Sequence, residues 1–303
     1  MKLSSKRHKP WRSNCTTLIT LPAMSRTGQT LVDIPEATIR VLVDRPELVL
    51  TYMRSRTEGG PGRHLHREHA DGFIVLEGEY AFELGDERRP RGAGTALVIP
   101  QKVIHRYEHE TTEQGAVLNI HAPAMGFAEY LFGERAPEDA DNIFDPPEEE
   151  GRPASEAIAL AFAEEGETVT DRPERTIRIL ADLPELCLTW TRYVAGEEGP
   201  GPHIHREHVD AFYMLTGELN FGLGPEVERV AARPGTFVLA PPEVIHTFRN
   251  DGPDDATWLN FHAPSKGFAE FLRDPDFVWD SFDAPADGGR PLDEAIVDHV
   301  HLA

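Results

Sequence analysis

Short apolar runs separated by glycine and proline dominate this chain. Runs rich in Val, Ile, Leu, Thr and aromatic residues follow one another from position 40 to 123, and again from 178 to 264. Many short runs bounded by turn residues indicate an all-β sandwich or barrel, not alternating strands and helices. Each series ends in Gly-Phe-Ala-Glu-aromatic-Leu, at Gly126–Leu131 and Gly267–Leu272. We predict a short helix there in each.

The two series are copies of one sequence. Arg40–Thr51 matches Arg178–Thr189, and Val117–Pro123 matches Trp258–Pro264. Self-similarity at a spacing of about 140 residues, an ordinary domain length, predicts two homologous domains. The predicted organisation is an N-terminal tail (1–28), a first barrel (29–135), an acidic linker with a helix in 153–165 (136–172), a second barrel (173–275) and a C-terminal tail (276–303). We interpret the N-terminal tail as disordered, or as lying upstream of a true start at Met24.

Composition and charge narrow the range of partners. The chain has 303 residues, of which 40% are apolar and 27% charged, as in soluble globular proteins. Its formal net charge of −22 argues against binding nucleic acid or an anionic membrane surface. No apolar stretch approaches the roughly 20 residues of a membrane span. Two cysteines, Cys15 and Cys187, cannot form a disulfide framework, so we expect a reducing, cytoplasmic location.

Histidines stand at repeated positions. The stretch Gly60–Gly78 returns as Gly199–Gly217. Each copy carries a His-x-His pair, His64 and His66 in the first and His203 and His205 in the second. Side chains two residues apart leave the same face of a strand, so each pair can converge on one ion. Neutral imidazole is the commonest metal ligand in proteins. The pattern therefore predicts a metal site in each copy.

A third histidine follows in each copy, and with it a family resemblance. His105 comes five residues after Pro100, and His246 five residues after Pro241. Together with the glycines, this spacing resembles the two motifs of the cupin superfamily, G-x5-HxH-x3,4-E-x6-G and G-x5-P-x-G-x2-H-x3-N, over residues 36–132 and 174–273. The resemblance implies a bicupin, with two cupin_2-type jelly-roll (double-stranded β-helix) barrels and short flanking helices.

The resemblance also implies two metal-ligand sets. They are His64, His66, His105 and Asp71 in the first copy, and His203, His205, His246 and Asp210 in the second. The family's fourth ligand is usually Glu, and Asp is one methylene shorter. Asp71 and Asp210 therefore either bind the metal, or leave a three-histidine site with an extra water. Asn250 closes the second motif in copy two, whereas His109 replaces it in copy one, so the second site is the closer match.

Further polar residues accompany each set. Asn119 and His121 are two apart on one strand, as are Asn260 and His262. If they point inward, His121 and His262 present a proton donor or acceptor to the cavity and, with Asp71 and Asp210, are the expected catalytic residues. A surface or inter-domain role is the alternative. His69 and His208, in the loop between ligands, are expected to be partners of ligands or solvated, or else ligands themselves.

The expected function follows from the metal set. Three histidines and a carboxylate leave open positions on a divalent first-row metal such as Fe, Mn, Ni or Cu, up to one ion per barrel. Open positions let a substrate oxygen and dioxygen bind side by side, as oxygenases require. The leading hypothesis is a metal-dependent dioxygenase acting on a small oxygenated or phenolic substrate, as the resemblance to quercetin-dioxygenase-like bicupins implies. A non-catalytic binding or storage cupin, and an oxalate-decarboxylase-like enzyme or isomerase, are the alternatives. Sequence leaves a homodimer open.

Overall fold

Two antiparallel β-barrels make up the molecule. The computed structural model describes residues 25–142, 151–291 and 295–300, so most of the predicted N-terminal tail and Cys15 lie outside the described residues. Each barrel consists of a seven-stranded sheet facing a smaller one. The predicted all-β class and the tandem jelly-roll architecture are confirmed.

In barrel 1 the sheets have the orders β1-β2-β3-β9-β4-β7-β10 and β6-β5-β8. Its strands are β1 (Thr30–Ile34), β2 (Ala37–Arg45), β3 (Leu48–Ser55), β4 (Ala70–Glu77), β5 (Glu79–Leu84), β6 (Glu87–Gly92), β7 (Thr95–Ile99), β8 (His105–Glu108), β9 (Gly115–Ala122) and β10 (Ile158–Ala161). The predicted terminal helix is α1 (Phe127–Leu131).

In barrel 2 the orders are β11-β12-β13-β20-β15-β18-β22 and β17-β16-β19-β14-β21. Its strands are β11 (Glu167–Asp171), β12 (Arg175–Leu183), β13 (Leu186–Tyr193), β14 (His203–Ile204), β15 (Val209–Thr216), β16 (Leu219–Leu223), β17 (Glu228–Ala232), β18 (Thr236–Ala240), β19 (His246–Arg249), β20 (Ala256–Ala263), β21 (Phe282–Asp283) and β22 (Ile296–His299). The terminal helix is α2 (Phe268–Arg273). No helix in the described ranges is long and apolar enough to cross a membrane.

Strand alternation divides the buried side chains between two cores. On β4, Phe73 points into barrel 1 whereas Ile74 points to the opposite face. On β9, Val117 points inward and Leu118 outward. Because successive side chains of a strand alternate, His121 falls on the inward face with Val117. The same sheet therefore presents polar residues to the barrel interior and an apolar surface to its other side.

The outward faces of the two seven-stranded sheets form one continuous core. Leu50 and Leu118 of barrel 1 belong to the same buried cluster as Leu188 and Leu259 of barrel 2, and all four are fully buried. Burying such a side chain stabilises the folded state by about 1.5–3 kcal/mol. The two barrels thus share the apolar layer that holds them together.

The linker differs from its prediction. No α-helix forms in 153–165; Ala154–Glu156 is a short 3-10 helix, and β10 then pairs with β7 of barrel 1. As a strand, this segment packs Ile158 and Leu160 against the shared core. Helical composition is a weak preference that such burial overrides. Only residues 162–166 connect β10 to β11.

The same strand recurs at the end of the chain. β22 pairs with β18 at the edge of the second sheet, as β10 pairs with β7 in the first. Both strands follow a Gly-Arg-Pro-x-x-Glu-Ala-Ile sequence, at 151–158 and 289–296. The repeat therefore extends beyond the barrel and its helix, and the C-terminal segment is part of barrel 2.

Two candidate metal centres

Backbone pairing brings the third histidine of each set to the first. His64 and His105 face each other as an antiparallel bridge, with backbone N–O distances of 3.0 and 2.9 Å. His203 and His246 pair in the same way across β14 and β19. Side chains of directly opposed residues leave the same face of a sheet. The predicted triads therefore meet inside the barrels.

Each triad meets its predicted aspartate. The potential ligand atoms of His64, His66, Asp71 and His105 all lie within 4.8 Å of one another, as do those of His203, His205, Asp210 and His246. The barrel 1 residues are at most 3% exposed. Asp71 Oδ2 lies 3.1 Å from His105 Nε2 and 3.5 Å from His66 Nε2. The corresponding distances from Asp210 Oδ2 are 3.3 Å to His246 and 3.7 Å to His205.

Hydrogen bonds fix the tautomer of all six triad histidines. Each Nδ1 lies 2.6–3.0 Å from a backbone carbonyl oxygen, which can only accept a hydrogen bond. In barrel 1 the accepting carbonyl is that of Gly62 for His64, Asp141 for His66 and Val103 for His105. In barrel 2 it is that of Gly201 for His203, Asp280 for His205 and Val244 for His246. Nδ1 therefore carries the proton, and the unprotonated Nε2 is left for the centre of the cluster, as in metal-binding histidines.

The donor set fits a divalent metal ion. The Nε2 atoms of His66, His205 and His246 are buried without a hydrogen-bond partner among the described residues, although a carboxylate oxygen is near. A lone pair facing an anion is repulsive unless a cation lies between them. With metal–ligand bonds of about 2.0–2.2 Å, neighbouring ligand atoms are about 3.0–3.5 Å apart, close to the separations around Asp71 and Asp210.

Two opposing influences act on the ionisation of these groups. Burial lowers the pKa of His64 and of His203 to about 3, so both imidazoles are neutral at pH 7. Burial opposes ionisation of Asp71, but the nearby His121, His105 and His66 outweigh it and hold the pKa of that carboxyl well below its usual range. Metal ligands must be deprotonated to bind, and these groups already are.

An asparagine orients each aspartate. Asn119 donates through Nδ2 to Asp71 Oδ1 at 2.6 Å, and Asn260 donates to Asp210 Oδ1 at 2.5 Å. The other carboxylate oxygen is thereby directed at the histidine triad. Because Asn119 and Asn260 point inward, the alternative that the two Asn–His pairs lie on the surface is excluded.

Behind each triad lies a chain of hydrogen-bonded histidines. His121 Nδ1 is 2.7 Å from His69 Nε2, and His69 Nδ1 is 3.1 Å from the carboxylate of Asp141. In barrel 2, His262, His208 and Asp280 repeat the chain at 3.0 and 2.8 Å. His69 and His208 are fully buried and therefore not solvated. They connect the cavity histidine to a carboxylate at the barrel end.

The sequence reasoning missed Asp141 and Asp280. The backbone carbonyl oxygen of Asp141 accepts a hydrogen bond from Nδ1 of His66. Its carboxylate accepts hydrogen bonds from the backbone N–H groups of Arg67 and Glu68, at 2.7 and 2.5 Å. Asp280 makes the same contacts with the second His-x-His loop. Both residues follow the terminal helix, so one residue per barrel ties this segment to the ligand loop.

Each centre opens into a cavity. The barrel 1 cavity has a volume of about 130 Å³ and the barrel 2 cavity about 280 Å³. Both are lined by the triad's first histidine, the aspartate, and the Asn–His pair. An ion at the centre would lie at the wall of a space large enough for a small molecule.

Two jelly-roll barrels in one chain, each with a His-His-Asp-His cluster facing its interior, define a bicupin. A family model described as "Cupin domain" matches residues 52–121 and 189–262, which cover the centres of both barrels. Each of the two barrels therefore contains a cupin domain, and the chain is bicupin-like.

Similarity to characterised proteins is more distant. Quercetin 2,3-dioxygenase of Bacillus subtilis is 25% identical in an alignment of 224 positions that covers 62% of this chain and 65% of that protein. The match thus spans less than two thirds of the relative's length. Among solved structures, a cupin 2 conserved barrel domain protein from Leptotrichia buccalis (12% identity, 77% of this chain, 91% of that one) and oxalate decarboxylase from Bacillus subtilis (15%, 80% and 77%) both superpose with a TM-score of 0.53. These structures establish the fold alone.

Proposed function

We propose that this protein is a metal-dependent bicupin dioxygenase that acts on a small phenolic or otherwise oxygenated organic molecule. The observation that carries the proposal is the pairing of neutral imidazole lone pairs with a buried carboxylate at the wall of a cavity in each barrel. In barrel 1 the metal would be held by His64, His66, His105 and Asp71. In barrel 2 it would be held by His203, His205, His246 and Asp210.

A divalent Fe, Mn, Ni or Cu ion in such a site supplies open positions at which a substrate oxygen and dioxygen can be activated. Both atoms of dioxygen enter the product in a dioxygenase reaction, so no external reductant is needed. The similarity to quercetin 2,3-dioxygenase supports this reaction class.

His121 and His262 would act as the acid–base groups. Burial keeps the pKa of His262 well below its usual range, so its imidazole is neutral. His262 Nε2 lies 3.0 Å from Asn260 Oδ1, which only accepts, so Nε2 carries a proton that it could donate to a bound substrate. The 3.0 Å contact between His262 Nδ1 and His208 Nε2, and the 2.8 Å contact from His208 to Asp280, provide a path by which that proton could be replaced. Asp210 and Asp71 would bind the metal ion on the other side of the site.

The lining of the barrel 2 cavity favours a phenol over oxalate. Six aromatic residues line it: Tyr193, Phe248, Trp258, Phe268, Phe271 and Trp279. Arg175 is the only Lys or Arg among its described lining residues, and it already pairs with Glu197 at 2.7 Å. Apart from the metal ion itself, a dianion such as oxalate would meet no unpaired cation among these described lining residues. Oxalate decarboxylation is therefore the second candidate.

The test is oxygen consumption by protein loaded separately with Fe(II), Mn(II), Ni(II) or Cu(II), assayed with a panel of phenols and with oxalate. We expect oxygen uptake with a phenol only in the loaded protein, and its loss in a His203→Ala/His205→Ala variant. Carbon dioxide release from oxalate without net oxygen uptake would favour the decarboxylase. Tight phenol binding without turnover would identify a binding cupin. We further propose a cytoplasmic location, from the low cysteine content; a homodimer stays a hypothesis.

A further inference from the structure

We infer that barrel 2 is the substrate-binding barrel, that it takes a molecule with a single hydroxylated aromatic ring, and that Met53 and Tyr107 close barrel 1 to such a molecule. This inference deepens the proposed function and, for the reaction itself, rests on it. It is carried by four differences between the two cavities.

Cavity size is the first difference. A cavity of about 150 Å³ lined by aliphatic and aromatic side chains is large enough for benzene. The barrel 1 cavity, about 130 Å³, is smaller than that, whereas the barrel 2 cavity is about 280 Å³. Barrel 2 can hold one ring with its hydroxyl groups. It is small for a molecule of several fused or linked rings, since pockets for drug-sized ligands begin at about 300 Å³.

The residues that cause the size difference stand at matching positions. In barrel 1, the Tyr107 hydroxyl contacts Met53 Sδ at 3.9 Å, and both line the cavity. The matching residues of barrel 2 are Phe248 and Thr191. Thr191 is several atoms shorter than Met53, and Phe248 has no hydroxyl to reach across. The contact that narrows barrel 1 has no counterpart in barrel 2.

A buried hydroxyl points to the kind of group that the ligand carries. Thr189 lines the barrel 2 cavity, is 1% exposed, and its Oγ1 has no hydrogen-bond partner among the described residues. An unpaired buried hydroxyl costs about 1–3 kcal/mol. A ring hydroxyl could satisfy Thr189 while the aromatic walls contact the ring faces. Thr51, the matching residue of barrel 1, is equally buried and its Oγ1 equally lacks a partner among the described residues, but it does not line the smaller cavity.

Charge at the rim is consistent with a neutral ring. Arg175 lies over the Tyr193 ring, 4.3 Å from its centroid, and donates to Glu197. Its charge is therefore already compensated. Barrel 1 has Ala37 at the matching position. A neutral phenol can use the aromatic wall without displacing this ion pair, whereas a carboxylate would have to compete with Glu197.

The experiment measures catechol binding to the metal-loaded full chain. Calorimetry gives the number of sites, and tryptophan fluorescence reports barrel 2, because Trp258 and Trp279 line its cavity and none of the described residues that line the barrel 1 cavity is a tryptophan. We expect one catechol per chain with fluorescence quenching. Thr191→Met, which copies barrel 1 into barrel 2, should weaken binding at least tenfold, and Thr189→Val severalfold. Thr191→Val keeps the size of the side chain and should leave the affinity within about twofold.

The reciprocal variant keeps the inference testable if Thr191→Met fails to fold. Met53→Thr combined with Tyr107→Phe should add a second catechol site without changing the first. Two sites in the wild type, binding without quenching, no binding at all, or unchanged affinity in folded Thr191→Met would overturn the inference. Catechol bound in barrel 2 without oxygen uptake would overturn the dioxygenase and leave the binding site standing. Oxygen uptake that is unchanged in Thr191→Met would overturn barrel 2 as the substrate-binding barrel and leave the dioxygenase standing.

Discussion

His66 Nδ1 lies 2.7 Å from the backbone carbonyl oxygen of Asp141, a residue 75 positions further along the chain. His205 and Asp280 are joined in the same way at 2.6 Å. In both barrels a proposed metal ligand is thus oriented by the segment that follows the terminal helix. The same aspartate holds the ligand loop through its carboxylate, so loop and segment are fixed together.

Removing that carboxylate should weaken metal binding in one barrel. Partners that orient metal ligands typically contribute 10–100-fold to metal affinity. We expect Asp280→Ala to lower the affinity of barrel 2 by about that factor, measured by competition with a chelator, because the backbone N–H groups of Arg206 and Glu207 lose their acceptor. Asp276→Ala removes an exposed carboxylate of the same segment and serves as the control. Equal affinities for the two variants would contradict the role of Asp280.

Metal content should separate the two centres. Elemental analysis of untagged protein should find one ion for each four-residue group. His64→Ala/His66→Ala should remove the barrel 1 ion only, and His203→Ala/His205→Ala the barrel 2 ion only. Loss of both ions from either variant would mean that the centres depend on each other.

Acid should destabilise the metal-free protein through its buried histidines. Burial lowers the pKa of His64 and of His203 to about 3, whereas histidines of the unfolded chain titrate near 6.5. Between these values the unfolded state binds more protons, so stability falls as the pH falls. From pH 6 to 4 we expect a loss of about 1.4 kcal/mol per pH unit for each of the two histidines. Asp71, whose pKa is held low, adds to the same trend only below its unfolded value near 3.8.

Urea unfolding with chelator present, repeated at several pH values, would measure this slope. His64→Asn combined with His203→Asn removes both groups and should reduce the slope between pH 6 and 4. The remaining slope comes from other histidines whose pKa burial also lowers, among them His121, His208 and His262. A slope unchanged by the double substitution would show that other groups cause the acid sensitivity.

A core substitution in barrel 1 should lower the stability of barrel 2 as well. Leu118 is fully buried in the shared layer, so Leu118→Ala should cost about 2–5 kcal/mol of unfolding free energy. Trp190, Trp258 and Trp279 all belong to barrel 2. If the barrels unfold together, the unfolding transition reported by the fluorescence of these tryptophans should move to a lower urea concentration in this variant. A transition that stays in place would indicate that barrel 2 unfolds independently.

Much of the fold and of the candidate site could be predicted from local sequence. The spacing of His64 and His66 on a strand, and of His105 after a proline, determines which faces these side chains occupy, so the triads could be identified without coordinates. The inward position of His121 followed from the same alternation once its strand was known.

The contacts that the sequence did not reveal are those between distant segments. Asp141 and Asp280 follow their helices at different spacings, 15 residues after Gly126 and 13 after Gly267, which hid their equivalence. The strand character of 158–161 depends on the apolar layer contributed by the other barrel, although the repeated Gly-Arg-Pro-x-x-Glu-Ala-Ile sequence could have indicated it. Composition alone favoured a helix.

The packing of two barrels through one apolar layer also has an evolutionary consequence. A symmetric dimer of single barrels must carry every substitution twice, because both subunits come from one gene. Here each half has its own codons, so the second half can carry the small Thr191 where the first half carries the larger Met53. Covalent joining therefore allows one half to specialise in taking up a ligand, while the other keeps a narrower cavity and still supplies half of the common core.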